Sequence, residues 1–147
     1  MKAKLNYGFF RFFKRICLYM AGNSCLINYK VRRFIYKMCG VHIGKNVFIG
    51  TNVYFDELNL NGIYIDDNSF ITRGVVILSH FLNSENGSFD LGNVHIGKNT
   101  FIGVNTIIVK PISIGSNVIL GGGSVVVSDI PDNVIAVGNP CKVIKGR

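Results

Sequence analysis

An aliphatic residue returns at every sixth position of residues 94–128: Ile96, Ile102, Ile108, Ile114, Leu120 and Val126. Glycine usually follows it (Gly97, Gly103, Gly115, Gly121), with Val109 and Val127 as exceptions. Two positions before each aliphatic stands a second residue able to point inward: Val94, Thr100, Thr106, Ile112, Val118, Ser124. A period of six fits neither a helical face nor simple strand alternation. It is the period of a solenoid in which each short strand ends in a turn.

Along such a strand the aliphatic anchor and the residue two before it share the inner face. The following glycine leaves the corner free of a Cβ clash. Asn46, Asn52, Asn68, Asn99, Asn105 and Asn117 recur near the turns, where asparagine tolerates left-handed backbone. Three units closing a triangle give coils of about 18 residues stacked about 4.8 Å apart, and hence roughly four to five coils. Residues 41–50 (VHIGKNVFIG) nearly repeat residues 94–103 (VHIGKNTFIG), so the solenoid is expected to begin near residue 40. Its phase slips through ELNLNG at 57–62 and resumes at Ile65, Ile71 and Ile77. After His80 it breaks again, and residues 81–93 have the Asn, Ser and Gly content of a loop. Pro131 ends the repeat, leaving 131–147 as a closing segment.

Residues 1–39 read as a basic, amphipathic helical segment. In the first helix Arg11, Lys14 and Arg15 fall on one face, and Phe9, Phe12, Phe13, Ile16 and Met20 mostly on another. A second helix near Tyr29–Met38 offers Val31, Phe34, Ile35 and Met38 as its apolar face, with Gly40 as its stop. Two roles are open: packing on the open end of the solenoid, or lying on an anionic membrane surface through residues 1–22.

Of the 147 residues 48% are hydrophobic and 16% charged, which supplies a core and leaves little surface charge, as in an oligomer. The net charge of +8 is uneven: residues 1–55 carry ten Lys or Arg and no acid, and the other six face all eight acids. The basic balance thus belongs to the N-terminal third, and no nucleic-acid partner is expected. Cys17, Cys25, Cys39 and Cys141 form no CxxC pair, and cations interrupt any secretory signal. Reduced thiols in a cytoplasmic protein, with peripheral contact at the inner membrane face as a variant, are the expectation. No run reaches the roughly 18–20 apolar residues of a membrane span.

ITRGVVILSH (71–80), VHIGKNTFIGVNTIIVKPISIGSNVILGGGSVVVSDIP (94–131) and VIAVGNPCKVIK (134–145) resemble the hexapeptide-repeat acyltransferases. Within them the chain is most similar to the maltose, galactoside and polysaccharide O-acetyltransferases. The resemblance implies a mainly β fold, a left-handed parallel β-helix over residues 40–147. It implies homotrimers with each active site between two subunits, and acetyl-CoA as co-substrate. The implied function is acetyl transfer to a hydroxyl of a sugar or polysaccharide precursor, with a histidine general base and no metal.

The residues carried over are few. His80 lies three places after anchor Ile77, at the corner where the family keeps its catalytic histidine. A free alcohol needs a base as it attacks, and a neutral imidazole is suited to that. Asp56 stands where glycine usually follows the anchor, and where the galactoside branch has an asparagine that contacts the acceptor; binding the acceptor and orienting His80 both remain open. Val104, Gly122 and Val127 match the wall against which coenzyme A lies. Lys142 and Lys145 fall where the family places basic residues near the nucleotide phosphates. Phe101 stands where several relatives carry tryptophan. His42 and His95 each precede an anchor and are expected to point outward.

Other functions fit the same scaffold. Serine O-acetyltransferases and amino-sugar N-acyltransferases share it. A zinc enzyme of the γ-carbonic anhydrase type would need three converging histidines. A non-catalytic β-helix that scaffolds or binds membrane is the third class.

Overall fold

The computed structural model describes residues 2–85 and 87–147, with side chains from Phe12 onward. Helices α1 (Lys2–Asn23) and α2 (Tyr29–Met38) precede a three-sided parallel β-helix. The first sheet stacks His42–Ile43, Ile63–Ile65, Val94–Ile96 and Ser113–Ile114. The second stacks Phe48–Ile49, Phe70–Ile71, Phe101–Ile102, Ile119–Leu120 and Val134–Val137, and Lys142–Gly146 closes it antiparallel. The third stacks Tyr54–Phe55, Val76–Ile77, Ile107–Ile108 and Val125–Val126. Between coils of the regular stretch, Asn99 meets Asn117 at a separation of 18 residues. These parallel sheets and that spacing are those of a hexapeptide solenoid, consistent with the left-handed β-helix that the resemblance implies.

Both sets of inward residues are buried: the anchors from Ile43 to Val126, and Val94, Thr100, Thr106, Ile112, Val118 and Ser124. Each buried aliphatic contributes about 1.5–3 kcal/mol. The buried hydroxyls find backbone acceptors, as Thr100 Oγ1 does at Gly115 O (2.8 Å) and Ser69 Oγ at Gly97 O (2.8 Å). Among the described residues no buried side-chain polar atom lacks a partner.

Asparagine and glycine divide the corner between them. Left-handed backbone falls on Asn46, Asn52, Asn68, Asn99, Asn105, Asn117 and Asn133, with φ between 53° and 60°, where a short polar side chain is tolerated. The glycine after the anchor answers a different demand. A Cβ on Gly103 would stand 2.5 Å from Gly122 N in the next coil. Glycine is what lets successive coils approach.

The two phase breaks are structured. The slip holds a 3₁₀ turn, Leu60–Gly62, that buries Leu60 and spaces Asn46 from Asn68 by 22 residues. Residues 81–93, read from composition as a loop, contain most of an antiparallel hairpin that pairs His80–Leu82 with Phe89–Leu91. Phe81 and Phe89 suit paired strands, and Gly87 with positive φ serves the turn.

The helices pack on the open end of the solenoid, but through other residues than the sequence pattern suggests. Phe12, Phe13, Ile16 and Met20 of α1 are exposed, as are Val31, Phe34 and Met38 of α2. Phe9 and Arg11 lie outside the described side chains. Ala21, Arg32, Tyr36 and Cys39 are buried instead, with Cys17, Leu18 and Ile35 half-buried against them. The first coil has no coil above it, so its carbonyls need donors. Arg32 donates to Ile49 O of that coil (3.0 Å) and to Ala21, Ser24 and Ile27 carbonyls. The Tyr36 hydroxyl donates to Val53 O (3.2 Å), and Asn52 N–H donates to Gly22 O (2.7 Å). A purely apolar helix face would leave those carbonyls unpaired. Among the described residues no helix is long and apolar enough to cross a membrane.

Candidate active site

The two phase breaks meet at one corner, the end of the third sheet. Phe55 and Ile77 pair in register, which sets Asp56 beside the segment Leu78–His80. Because the chain leaves the hexad pattern after each anchor, both segments depart from the regular turn and their side chains converge. His80 Nδ1 hydrogen-bonds to Asp56 Oδ2. The same oxygen accepts Ser79 N–H (2.9 Å) and the Ser79 hydroxyl (3.2 Å), while Oδ1 accepts Leu58 N–H (3.1 Å). Asn59 ties the slip to the base of the hairpin through Gly92 O (2.8 Å), and Gly92 N–H donates to Ser79 O (2.9 Å).

Asp56 is 1% exposed, whereas the His80 side chain retains 19%. Burial pushes the Asp56 carboxyl up, but hydrogen bonds from His80, Leu58 and Ser79 outweigh it and hold the group below the usual carboxylate range. Asp56 is therefore an anion near neutral pH. An anionic acceptor at Nδ1 fixes the proton there and leaves the Nε2 lone pair as the basic atom. The Phe89 ring meets His80 edge-on, 5.0 Å between centroids and 86° between planes, which further restrains the imidazole.

The other histidines stand elsewhere. His42 stacks on Tyr64 (4.5 Å, 4°), and His95 Nε2 lies 3.1 Å from Asp66 Oδ2 on the same outer face of the first sheet. Both are exposed, as expected. The three histidines do not converge, and among the described residues no group of three His, Cys, Asp or Glu is arranged to hold a metal ion.

Val104 and Gly122 come together where the second sheet turns into the third. Gly123 N–H donates to Val104 O (2.7 Å), and a Cβ on Gly122 would lie 3.1 Å from Val104 Cγ2. Val104 is 52% exposed, and nothing lies within 4 Å of where a Cβ on Gly123 would stand. The corner thus sets open glycine backbone at Gly123 beside the exposed Val104 side chain. Val127 follows Val125–Val126 and lies on the His80 corner column instead. Lys142 and Lys145 are exposed on the last strand, opposite Val137 and Ile135. The structure therefore joins His80 to Asp56 and Val104 to Gly122, and sets these two pairs on different corners of one protomer.

Sequence reading missed Ser79, Asn59 and Phe89. Ser79 had a signal: it lies two residues after anchor Ile77, so alternation turns its hydroxyl inward, where a polar group needs a partner. Phe89 had none, since its place depends on hairpin register.

With this geometry in view, comparison with known proteins is consistent throughout. The family pattern described as hexapeptide repeat of succinyl-transferase matches residues 40–79 and 93–128. The galactoside O-acetyltransferase of Escherichia coli (strain K12) is 43% identical over 61 residues, 42% of this chain and 30% of that protein. The chain spans about a third of the length of the curated relatives it matches, 33% for one from Staphylococcus aureus (strain Mu50). The crystal structure of a maltose O-acetyltransferase from Clostridium difficile 630 superposes with a TM-score of 0.77 at 30% identity, over 92% of this chain and 85% of that one. A galactoside acetyltransferase in complex with coenzyme A gives 0.72 at 26% identity, over 92% and 80%. The repeat, the solenoid and these matches together place the chain in the hexapeptide-repeat acyltransferase family.

Proposed function

We propose that this protein transfers an acetyl group from acetyl-CoA to a hydroxyl of a saccharide acceptor, with His80 as general base. The observation that carries the proposal is the Asp56–His80 pair, a mostly buried imidazole that keeps some solvent access and is oriented by a buried carboxylate. The acceptor oxygen attacks the thioester carbonyl carbon as its proton passes to His80 Nε2. Asp56 stabilises the imidazolium through Nδ1–H. The tetrahedral intermediate then collapses, the C–S bond breaks, and the coenzyme A thiolate takes the proton from His80. Of the two roles open for Asp56, orientation of His80 is the one its burial supports, since its oxygens are already occupied.

Coenzyme A is assigned to the Val104–Gly122 corner and Val127, with Lys142 and Lys145 meeting its phosphates. The galactoside relative, solved with coenzyme A, supports the co-substrate, and it and the maltose relative support the saccharide acceptor. The separation of His80 from the Val104 corner within one protomer supports a homotrimer in which one subunit's His80 faces another's coenzyme wall. The outer faces of Phe70 and Phe101, exposed and aligned on the second sheet, supply apolar surface for such contacts. Four free cysteines suit a reducing, acetyl-CoA-containing compartment.

The test is thiol release from acetyl-CoA across a panel of mono- and oligosaccharides, serine and amino sugars. Turnover with saccharide hydroxyls, lost in His80→Ala while the assembly persists, is expected. Wild-type turnover in His80→Ala, or turnover with serine alone, would overturn the assignment.

A further inference from the structure

The N-terminal helices present a second apolar surface, turned away from the solenoid they cap. On α1 the packed residues are Cys17, Leu18 and Ala21. Phe12, Phe13, Ile16, Tyr19 and Met20 are all exposed, and helical periodicity gathers them into one stripe away from Ala21. On α2 the pattern repeats. Arg32 and Tyr36 face the first coil, while Val31, Phe34 (61%) and Met38 (72%) remain exposed on the other side. Lys30, Arg33 and Lys37 border that stripe by the same periodicity, and form no salt bridge among the described residues. Two large aromatic and aliphatic stripes on adjoining helices exceed what scattered surface apolar residues explain.

Charge identifies the occupant. Lys30 and Lys37 are exposed and Arg33 is half-buried, Arg15 of α1 is paired with Glu57, and no acid occurs in residues 1–55. A second copy of this face would set like charges against each other with nothing to offset them. A nucleic acid would meet the cations but leave Phe12, Phe13 and Phe34 without apolar cover. An anionic bilayer surface satisfies both, since acyl chains and headgroup boundary take the aromatic side chains and lipid phosphates take the cations. We propose that the α1–α2 face docks the protein peripherally on an anionic phospholipid surface. The docking does not depend on the acetyl-transfer reading, because none of these side chains belongs to the candidate active site.

The full chain is sedimented with phosphatidylcholine vesicles, and with vesicles that also hold phosphatidylserine at ~30 mol %. Binding to the second only, weakened by raised salt, is expected. Lys30→Glu with Lys37→Glu lowers partitioning by tenfold or more, since each basic residue near the surface is worth roughly fivefold. Phe12→Ser with Phe34→Ser lowers it comparably. Both double variants keep the wild-type urea midpoint and turnover of soluble acceptor, which separates failure of docking from failure of the enzymatic reading. No binding to either vesicle, or equal binding to both, overturns the proposal. So does a double variant that changes the mass of the assembly in solution while vesicle binding stays unchanged, which would make the face an interface between copies.

Discussion

His80 and Asp56 belong to successive coils, 24 residues apart, yet the imidazole Nδ1 rests on the buried carboxylate. The pairing exists because the hexad fails twice at one corner, after Phe55 and after Ile77. Replacing Asp56 by asparagine keeps the volume but removes the charge and the defined tautomer. Turnover of Asp56→Asn is expected to fall by roughly 10²–10⁴, with little change in KM for acetyl-CoA, as read by thiol release. An unchanged kcat would show that His80 is oriented without Asp56.

The same pair makes stability depend on pH. Burial raises the Asp56 carboxyl, the His80, Leu58 and Ser79 hydrogen bonds lower it more, and its folded value lies below the usual range. In the unfolded chain an aspartate titrates near ~3.9. The stabilisation is therefore fully present above that value and is lost as pH falls through the lower folded value. The urea midpoint of the wild type should drop as pH falls below about 4 by more than that of Asp56→Asn. Parallel falls in the two proteins would show that other carboxylates carry the acid sensitivity.

Arg32 is a buried cation with four carbonyl partners and no acidic one among the described residues. Leucine in its place fills part of the volume but leaves Ile49 O and Ala21 O without donors. Arg32→Leu is expected to cost about 3 kcal/mol or more in urea unfolding, one to three for each buried group left unpaired. Arg32→Lys should recover only part of that, since one ammonium lacks the planar spread of donors.

Glycine and asparagine should respond oppositely to alanine and glycine. Gly103→Ala puts a Cβ against Gly122 backbone, so the coils must part, at a cost of about 1–3 kcal/mol. Asn99→Gly keeps the left-handed residue at φ 55° and loses only the amide contact to Asn117 (3.3 Å). Asn99→Ala loses the contact and strains the backbone, so it should unfold about 1 kcal/mol more easily than Asn99→Gly. Denaturant midpoints of the three variants distinguish the two roles.

Most of the solenoid was legible because its core repeats. Ile96 to Val126 mark every coil of the regular stretch with an inward side chain, and one period sets three sheets. His80 was legible from its corner, and Asp56 from an aspartate where glycine is usual. What the repeat cannot encode is whatever interrupts it. The hairpin 80–91 is held by one register, His80 opposite Leu91. The helices misled for a physical reason: Val31, Phe34 and Met38 form the more apolar stripe of α2, but the uncapped coil needed the donors of Arg32 and Tyr36. Hydrophobic periodicity reports where apolar groups can gather, whereas an open β-helix end selects for hydrogen-bond donors.

Lys142 and Lys145 provide the sharpest test of the coenzyme assignment. Both stand exposed on the closing strand, opposite Val137 and Ile135, and Val134–Val137 lies between that strand and Ile119–Leu120, after which the small-residue corner follows. If their ammonium groups meet the nucleotide phosphates, removing one loses a charge-assisted contact worth about 1.5 kcal/mol, or roughly tenfold. Lys142→Ala and Lys145→Ala should raise KM for acetyl-CoA by up to that factor with kcat unchanged, the mark of lost uniform binding. With an acetylated coenzyme lacking the 3′-phosphate, at least one of the two substitutions should lose its effect, because its partner is gone. If both variants keep the wild-type KM for both coenzymes, the lysines belong to a solvated strand and the phosphates lie elsewhere.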